Sequence, residues 1–126
     1  MVFVAFALSA WAAIKTNGSV VTWGHGCAGG DSGLVKDLIR DVKSICGNPF
    51  AFAAITQGGS VVTWGMQAFG GDSFAVQNKF KNVTKVVGCA TCFAALNASG
   101  SVVTWGNLEL DDSVAAQISS DVVELY

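Results

Sequence analysis

The sequence predicts a mainly β fold with short helices, built from three repeats of about 41 residues. Three observations predict it. The hexapeptide SVVTWG stands at residues 19–24, 60–65 and 101–106, identical each time and evenly spaced. A small-residue apolar segment precedes each copy: AWAAI, AFAAI and CFAAL. A turn-forming pair lies between the two: Asn17-Gly18, Gly58-Gly59 and Ser99-Gly100. Each unit therefore reads as strand, tight turn, strand, loop, short helix and strand-like connector. Repeat 1 spans about residues 1–41, repeat 2 about 42–82 and repeat 3 about 83–121, and residues 122–126 open a fourth unit, all within one repeat domain.

Taken in order, the hairpins come first. A two-residue turn of type I′ or II′ fixes a register. In that register Ile14 faces Val21 and Ala12 faces Trp23, and Ile55 and Leu96 face Val62 and Val103 in the later units. Side chains alternate along a strand, so Val21, Val62 and Val103 share a face with Trp23, Trp64 and Trp105. That face is the expected core. The other face carries Trp11, Phe52 and Phe93 with Thr22, Thr63 and Thr104. No single unit can bury such a face, so stacking or ring closure with neighbours is required.

After each Trp-Gly comes a loop. In the first two units it ends in Gly-Gly-Asp-Ser, residues 29–32 and 70–73, and in the third it decays to Leu110-Asp111-Asp112-Ser113. Asp or Ser there can cap a helix. Leu34, Leu38, Ile39 and Val42, and then Val76, Phe80 and Val83, have helical spacing. The apolar stretches VKSI, VTKV and VVEL read as connecting strands. The opening MVFVAFALSAWAAI lacks the basic start of a signal peptide and aligns with ICGNPFAFAAI and VVGCATCFAAL, so it is expected to belong to the fold. A targeting peptide would already have been removed, and the compartment stays open, with a plastid among the candidates.

The stretch FAFAAITQGGSVVTWG resembles the signature of regulator-of-chromosome-condensation repeats: a small-residue strand, a glycine turn and an apolar strand ending in Trp-Gly. The resemblance covers nearly the whole chain, and the GGDS insert is similar to a short variant found in predicted algal proteins. It implies propeller blades, which in that family typically number seven. With three units, a propeller-blade-like arc and a compact pseudo-three-fold array both stay open. The family's nucleotide-exchange activity on a small GTPase belongs to loops of a full propeller that have no counterpart here. Its binding and scaffolding roles are the ones the resemblance implies.

Composition narrows the function. Charged residues make up 13% of the chain, against roughly 25% in ordinary domains, and the net charge is -2. That balance argues against a nucleic-acid partner. Residues 44–71 and 86–108 carry no charge, but Gly, Ser, Thr, Asn and Gln interrupt both, which argues against a membrane span.

Candidate chemistry is sparse. Cys89-Ala-Thr-Cys92 has C-x-x-C spacing, with Cys27, Cys46 and His25 as the only other ligand types near enough to consider. Read as strand residues, Cys89 and Cys92 point to opposite faces, so small buried cysteines are favoured over a disulfide or a metal site. His25 is the only histidine and has Met66 and Asn107 at equivalent positions. The CAGGDSG stretch, residues 27–33, lacks the lysine of a phosphate loop. Asp111 and Asp112, with Glu109 nearby, read as solvated loop carboxylates.

The expectation is a non-catalytic module without a cofactor. Its frame is fixed, and the segments after each Trp-Gly differ, which is where binding residues concentrate. His25, Met66, Phe69, Asn107 and Glu109 are the candidate partner-binding residues. The expected partner is protein, in a larger assembly that a peripheral subunit could join, such as a photosystem or another organelle complex. The alternative is a lectin-like ligand-binding module, and a GTPase exchange regulator ranks below both.

Overall fold

The computed structural model describes residues 3–6, 10–24, 33, 39–108, 117–118 and 122–125. Among the described residues, nine strands form three antiparallel sheets of three. Sheet 1 holds β1 (Phe3–Phe6), β2 (Ala10–Ile14) and β3 (Val20–Gly24). Sheet 2 holds β4 (Val42–Gly47), β5 (Ala51–Thr56) and β6 (Val61–Gly65). Sheet 3 holds β7 (Val83–Gly88), β8 (Cys92–Asn97) and β9 (Val102–Gly106). The connectors VKSI and VTKV are thus part of full strands, β4 and β7, that pair with the hairpins following them, whereas the expected connector strand VVEL is not formed: residues 122–125 are held by single hydrogen bonds without strand pairing.

The hairpin register differs by one residue from the expected one. Trp23 faces Trp11, Trp64 faces Phe52 and Trp105 faces Phe93. The reason lies in the turn. In the second unit the Gly59 N–H donates to the Thr56 carbonyl at 2.9 Å, and the Thr56 N–H donates to the Ser60 carbonyl at 3.0 Å. The loop therefore has three residues, Gln57 to Gly59, and the third is a glycine at φ +83°. That is the bulged hairpin, not the two-residue turn. Gly18 and Gly100 take the same place at φ +84° and +93°.

The shift exchanges the partners on the two faces. One face of each sheet now holds the aromatic pair: Trp11, Ala13, Val21 and Trp23 in sheet 1, then Phe52, Ala54, Val62 and Trp64, then Phe93, Ala95, Val103 and Trp105. The other face is built of smaller side chains. It holds Ala10, Ala12, Ile14 and Val20 in sheet 1, and Ala51, Ala53, Ile55 and Val61 in sheet 2. In sheet 3 it holds Cys92, Ala94, Leu96 and Val102.

The sheets stack in series. The small face of sheet 1 meets the Trp face of sheet 2 in one core, joined by Ile39, Val42 and Ile45. The small face of sheet 2 meets the Trp face of sheet 3 in a second, joined by Val83 and Val86. Sheet 2 is thereby covered on both sides, and all five residues from Ala51 to Ile55 are buried. Among the described residues no other sheet packs on the Trp face of sheet 1. Trp11, Val21 and Trp23 are consequently 44%, 44% and 43% exposed, against 4% for Trp64 and 6% for Trp105. Of the expected core residues, Trp64, Trp105 and Val103 are buried and Val62 is partly buried, but Val21 and Trp23 lie at the surface.

A repeated backbone bond links the units. The Val42 N–H donates to the Gly18 carbonyl at 3.0 Å and the Val83 N–H to the Gly59 carbonyl at 2.9 Å. The Val122 N–H makes the same bond to the Gly100 carbonyl at 2.8 Å.

In the second unit the insert contains two short 3-10 turns, Gln67–Phe69 and Phe74–Lys79. The helix expected through Val83 stops at Lys79, and Val83 and Val42 begin strands instead. Asn82 at φ +49° and Asp41 at φ +51° turn the chain into those strands. The rest of the helix expected in the first unit, Leu34 to Leu38, lies outside the described residues, as does most of the third insert.

Candidate functional site

The surface that varies between units is the insert after each Trp-Gly, and the sheets fix where it sits. The Met66 N–H donates to the Phe50 carbonyl at 3.0 Å, which binds the start of the insert to the β4–β5 turn. The Met66 carbonyl accepts from both Phe69 at 3.1 Å and Gly71 at 2.9 Å. Phe69 packs on Phe50 with ring centroids 4.7 Å apart. In the third unit Asn107 is held the same way, its N–H donating to the Thr91 carbonyl at 2.9 Å while its own carbonyl accepts from Thr91 Oγ1 at 2.9 Å.

Asn48 ties the second insert to the start of β8, and sequence reasoning passed over it. It is 4% exposed. Its Nδ2 donates to the Phe69 carbonyl at 2.7 Å and to the Cys92 carbonyl at 3.3 Å. Its Oδ1 accepts from the Phe50 and Ala51 N–H groups, both at 2.9 Å, and so closes the turn 48–51. A buried side chain with every polar atom used is a positioning device. The Gly-Asn-Pro run signalled a turn, but nothing in it signalled contact with the next unit.

The equivalent turn in the third unit is 89–92, and there a Cys89–Cys92 disulfide takes the place of the asparagine. Small separate cysteines were favoured from the sequence, on the premise that residues three apart on a strand diverge. The premise fails because Cys89 lies in the turn before β8. The Cys89 N–H donates to the Cys92 carbonyl at 2.9 Å, as Asn48 does to Ala51 at 3.0 Å, and the turn brings the two Cα atoms to 5.1 Å. Among the described residues no group of three or more Cys, His, Asp or Glu converges as a metal site. Closing so short a loop contributes roughly 2 kcal/mol on the chain-entropy account. Reducing the disulfide in the otherwise native protein should lower the midpoint of thermal unfolding, and a Cys89→Ser/Cys92→Ser variant should match the reduced protein.

The GGDS stretch also resolves into separate tasks. Asp72 Oδ1 accepts from the Phe74 N–H at 2.9 Å, making the local turn that starts the second 3-10 segment. Ser73 makes no cap. It is 2% exposed, its Oγ lies 2.9 Å from Thr63 Oγ1, and it accepts from Gln77 Nε2 at 2.6 Å. This network fastens the insert to β6. Ser73→Ala should cost about 1–3 kcal/mol, because Gln77 and Thr63 lose a buried partner. Chemical denaturation read by circular dichroism would measure it.

Around this network lies an open groove of about 660 Å³ lined by Ser60, Val62, Thr63, Asp72 and Phe74 among others. Phe74 stands at its rim, 85% exposed, the most open aromatic ring among the described residues. A second cavity of about 150 Å³ lies between sheets 2 and 3 beside Cys46. Burial pushes the Cys46 thiol up, with a Gly88 backbone hydrogen bond opposing, so it stays protonated and weakly nucleophilic at neutral pH.

Of the candidate binding residues, Met66 and Asn107 are exposed and Phe69 is half-buried against Phe50. His25 and Glu109 lie outside the described residues. No helix among the described residues is long and apolar enough to cross a membrane.

No family model matches the chain, and no curated protein matches it significantly. Solved structures do share its architecture. Human WBSCR16 superposes with a TM-score of 0.55 at 18% identity, over 83% of this chain and 34% of that one. Prp20p from Saccharomyces cerevisiae, solved in a study of its binding to Gsp1p and histones, gives 0.59 at 17% identity, over 86% of this chain and 31% of that one. The structure of Kap60 bound to yeast RCC1 (Prp20) gives 0.58 at 19% identity, over 86% and 30%. The fold is that of RCC1-type blades. The chain spans about a third of the length of these structures. At such identity the likeness concerns the fold, and it accounts for three small antiparallel sheets joined in series.

Proposed function

We propose that the chain is a non-catalytic repeat module that binds a protein partner through its insert end, as a small accessory subunit of a larger assembly. The observation that carries this reading is the contrast between frame and insert. SVVTWG is spent on packing, while Met66, Phe69 and Asn107 are held on rigid turns by Asn48 and the Cys89–Cys92 disulfide. Exposed residues on an over-determined frame suit recognition. Prp20p was solved in a study of its binding to Gsp1p and histones, and again bound to Kap60, which supports protein as the partner class. The algal resemblance of the GGDS insert directs the search to organelle complexes, a photosystem among them.

The test is capture from native extract with the wild-type chain and with a Met66→Ala/Asn107→Ala variant. A discrete set of partners that the variant loses, while keeping its fold, supports the reading. Equal capture by both removes the insert end from the function.

The lectin-like reading keeps one observation in its favour: Phe74 beside the polar groove of Ser60, Thr63 and Asp72 offers a ring for a sugar face. A glycan array would show binding abolished by Phe74→Ala if that groove is the site.

A further inference from the structure

The second and third inserts each begin on the turn that precedes the middle strand of their own sheet. In sheet 2 that turn is 48–51, and in sheet 3 it is 89–92. Both close with the same backbone bond, from the Asn48 N–H to the Ala51 carbonyl and from the Cys89 N–H to the Cys92 carbonyl. Both seat the insert on their third residue. The Phe50 carbonyl accepts from the Met66 N–H, and the Thr91 carbonyl accepts from the Asn107 N–H. The approach is close, since a Cβ on Gly106 would lie 2.8 Å from the Thr91 carbonyl oxygen and 2.8 Å from Cys92 Cα. The shape of turn 89–92 therefore fixes where the third insert starts.

The two turns differ in what holds them. In sheet 2 Asn48 Oδ1 accepts from the Phe50 and Ala51 N–H groups, and in sheet 3 the Cys89–Cys92 disulfide does the holding. A turn that hydrogen bonds alone can close does not need a covalent bond in order to form. Only Ala90 and Thr91 lie between the cysteines, so the bond restrains little of the unfolded chain. What the covalent version adds is dependence on oxidation. Cys89 is exposed, and exposed disulfides are the more readily exchanged ones. Cys46 is the contrast, a thiol that burial keeps protonated.

We propose that Cys89–Cys92 is a thiol–disulfide exchange site for a dithiol reductant, and that its reduction loosens the seat of the third insert. A thiolate of the dithiol attacks Cys89 Sγ, the Cys89–Cys92 bond breaks, and Cys92 leaves as a thiolate that takes a proton from water. The second thiol of the reductant then loses its proton and attacks the reductant sulfur bound to Cys89. That step closes the reductant's own disulfide and releases Cys89, which is protonated in turn. Two electrons have passed to the cysteine pair, and the dithiol is oxidised. The two bonds between Thr91 and Asn107 then rest on a turn held by hydrogen bonds alone. Exchange and loosening are both read without a partner, so they stand or fall apart from the function proposed above.

The test treats the folded chain with reduced dithiothreitol, without denaturant, and maps the alkylated cysteines by peptide mass spectrometry. Amide hydrogen exchange followed by nuclear magnetic resonance then compares the oxidised protein, the reduced protein and a Cys89→Ser/Cys92→Ser variant. The expected result is alkylation of Cys89 and Cys92 with the circular dichroism spectrum kept, and a bond that oxidised glutathione restores. The Cys89 and Asn107 amides should exchange roughly tenfold faster in the reduced protein and in the variant, while those of Met66 and Thr56 keep their rates. A disulfide that resists the dithiol until denaturant is added overturns the proposal, because the bond is then structural. Unfolding on reduction overturns it as well, and so do unchanged Cys89 and Asn107 amides in the fully reduced chain.

Discussion

Trp64→Ala is expected to destabilise the protein by about 3–5 kcal/mol, the range for truncating a fully buried aromatic. Trp64 is 4% exposed, stacks on Phe52 with centroids 5.5 Å apart, and fills the core between sheets 1 and 2. Stacked aromatic pairs are worth somewhat more than the area they bury. The instructive control is Trp23→Ala. The same letter in the same hexapeptide, at 43% exposure, should cost about 1 kcal/mol or less. Urea unfolding of dilute protein would measure both. Equal losses would mean that position in the repeat, and not cover by a preceding sheet, sets the energy.

Gly70→Ala should be nearly as damaging, at about 3 kcal/mol or more. Gly70 has φ +107°, a conformation that side chains rarely adopt. A Cβ there would also lie 2.4 Å from Cδ2 of Phe93, a ring that is itself fully buried. The Gly70 carbonyl accepts from Trp105 Nε1 at 3.1 Å, so moving the backbone away breaks the bond that anchors Trp105. Gly58→Ala makes the comparison. The added methyl meets only Thr56 Oγ1 at 3.9 Å, and the change should stay within about 0.5 kcal/mol. Thermal unfolding of the two variants beside the wild type would separate them.

Much of this architecture was legible in the letters. An exact repeat spaced at 41 residues located the hairpins, and the VKSI and VTKV connectors announced the third strand of sheets 2 and 3. What misled was the reading of the turn. Asn17-Gly18 and Gly58-Gly59 match a two-residue loop as well as the last two residues of a three-residue one. Because strand side chains alternate, a slip of one residue moves Trp from opposite alanine to opposite an aromatic ring. The backbone hydrogen bonds decide, and they are not written in the pair of letters.

At the candidate site, the split between invariant frame and variable insert could be read directly, and it is what makes Met66 and Asn107, both exposed, candidates. Asn48 could not be, since its role depends on the carbonyls of Phe69 and Cys92, which are remote in sequence. The disulfide was missed because the boundary between turn and strand was placed too early. Val21 and Trp23 were assigned to the core because a repeat gives every copy the same letters, while burial depends on having a neighbour.

The central claim is that SVVTWG serves as a packing face, with its Trp set against an aromatic partner on the adjoining strand. A double-mutant cycle with Phe93→Leu and Trp105→Leu tests it most directly, using the stability of the wild type, the two single variants and the double. With ring centroids 5.4 Å apart on one face, the pair should show a coupling energy of about 0.5–1.5 kcal/mol. Strict additivity of the two losses would place the rings on opposite faces of sheet 3 and contradict the account.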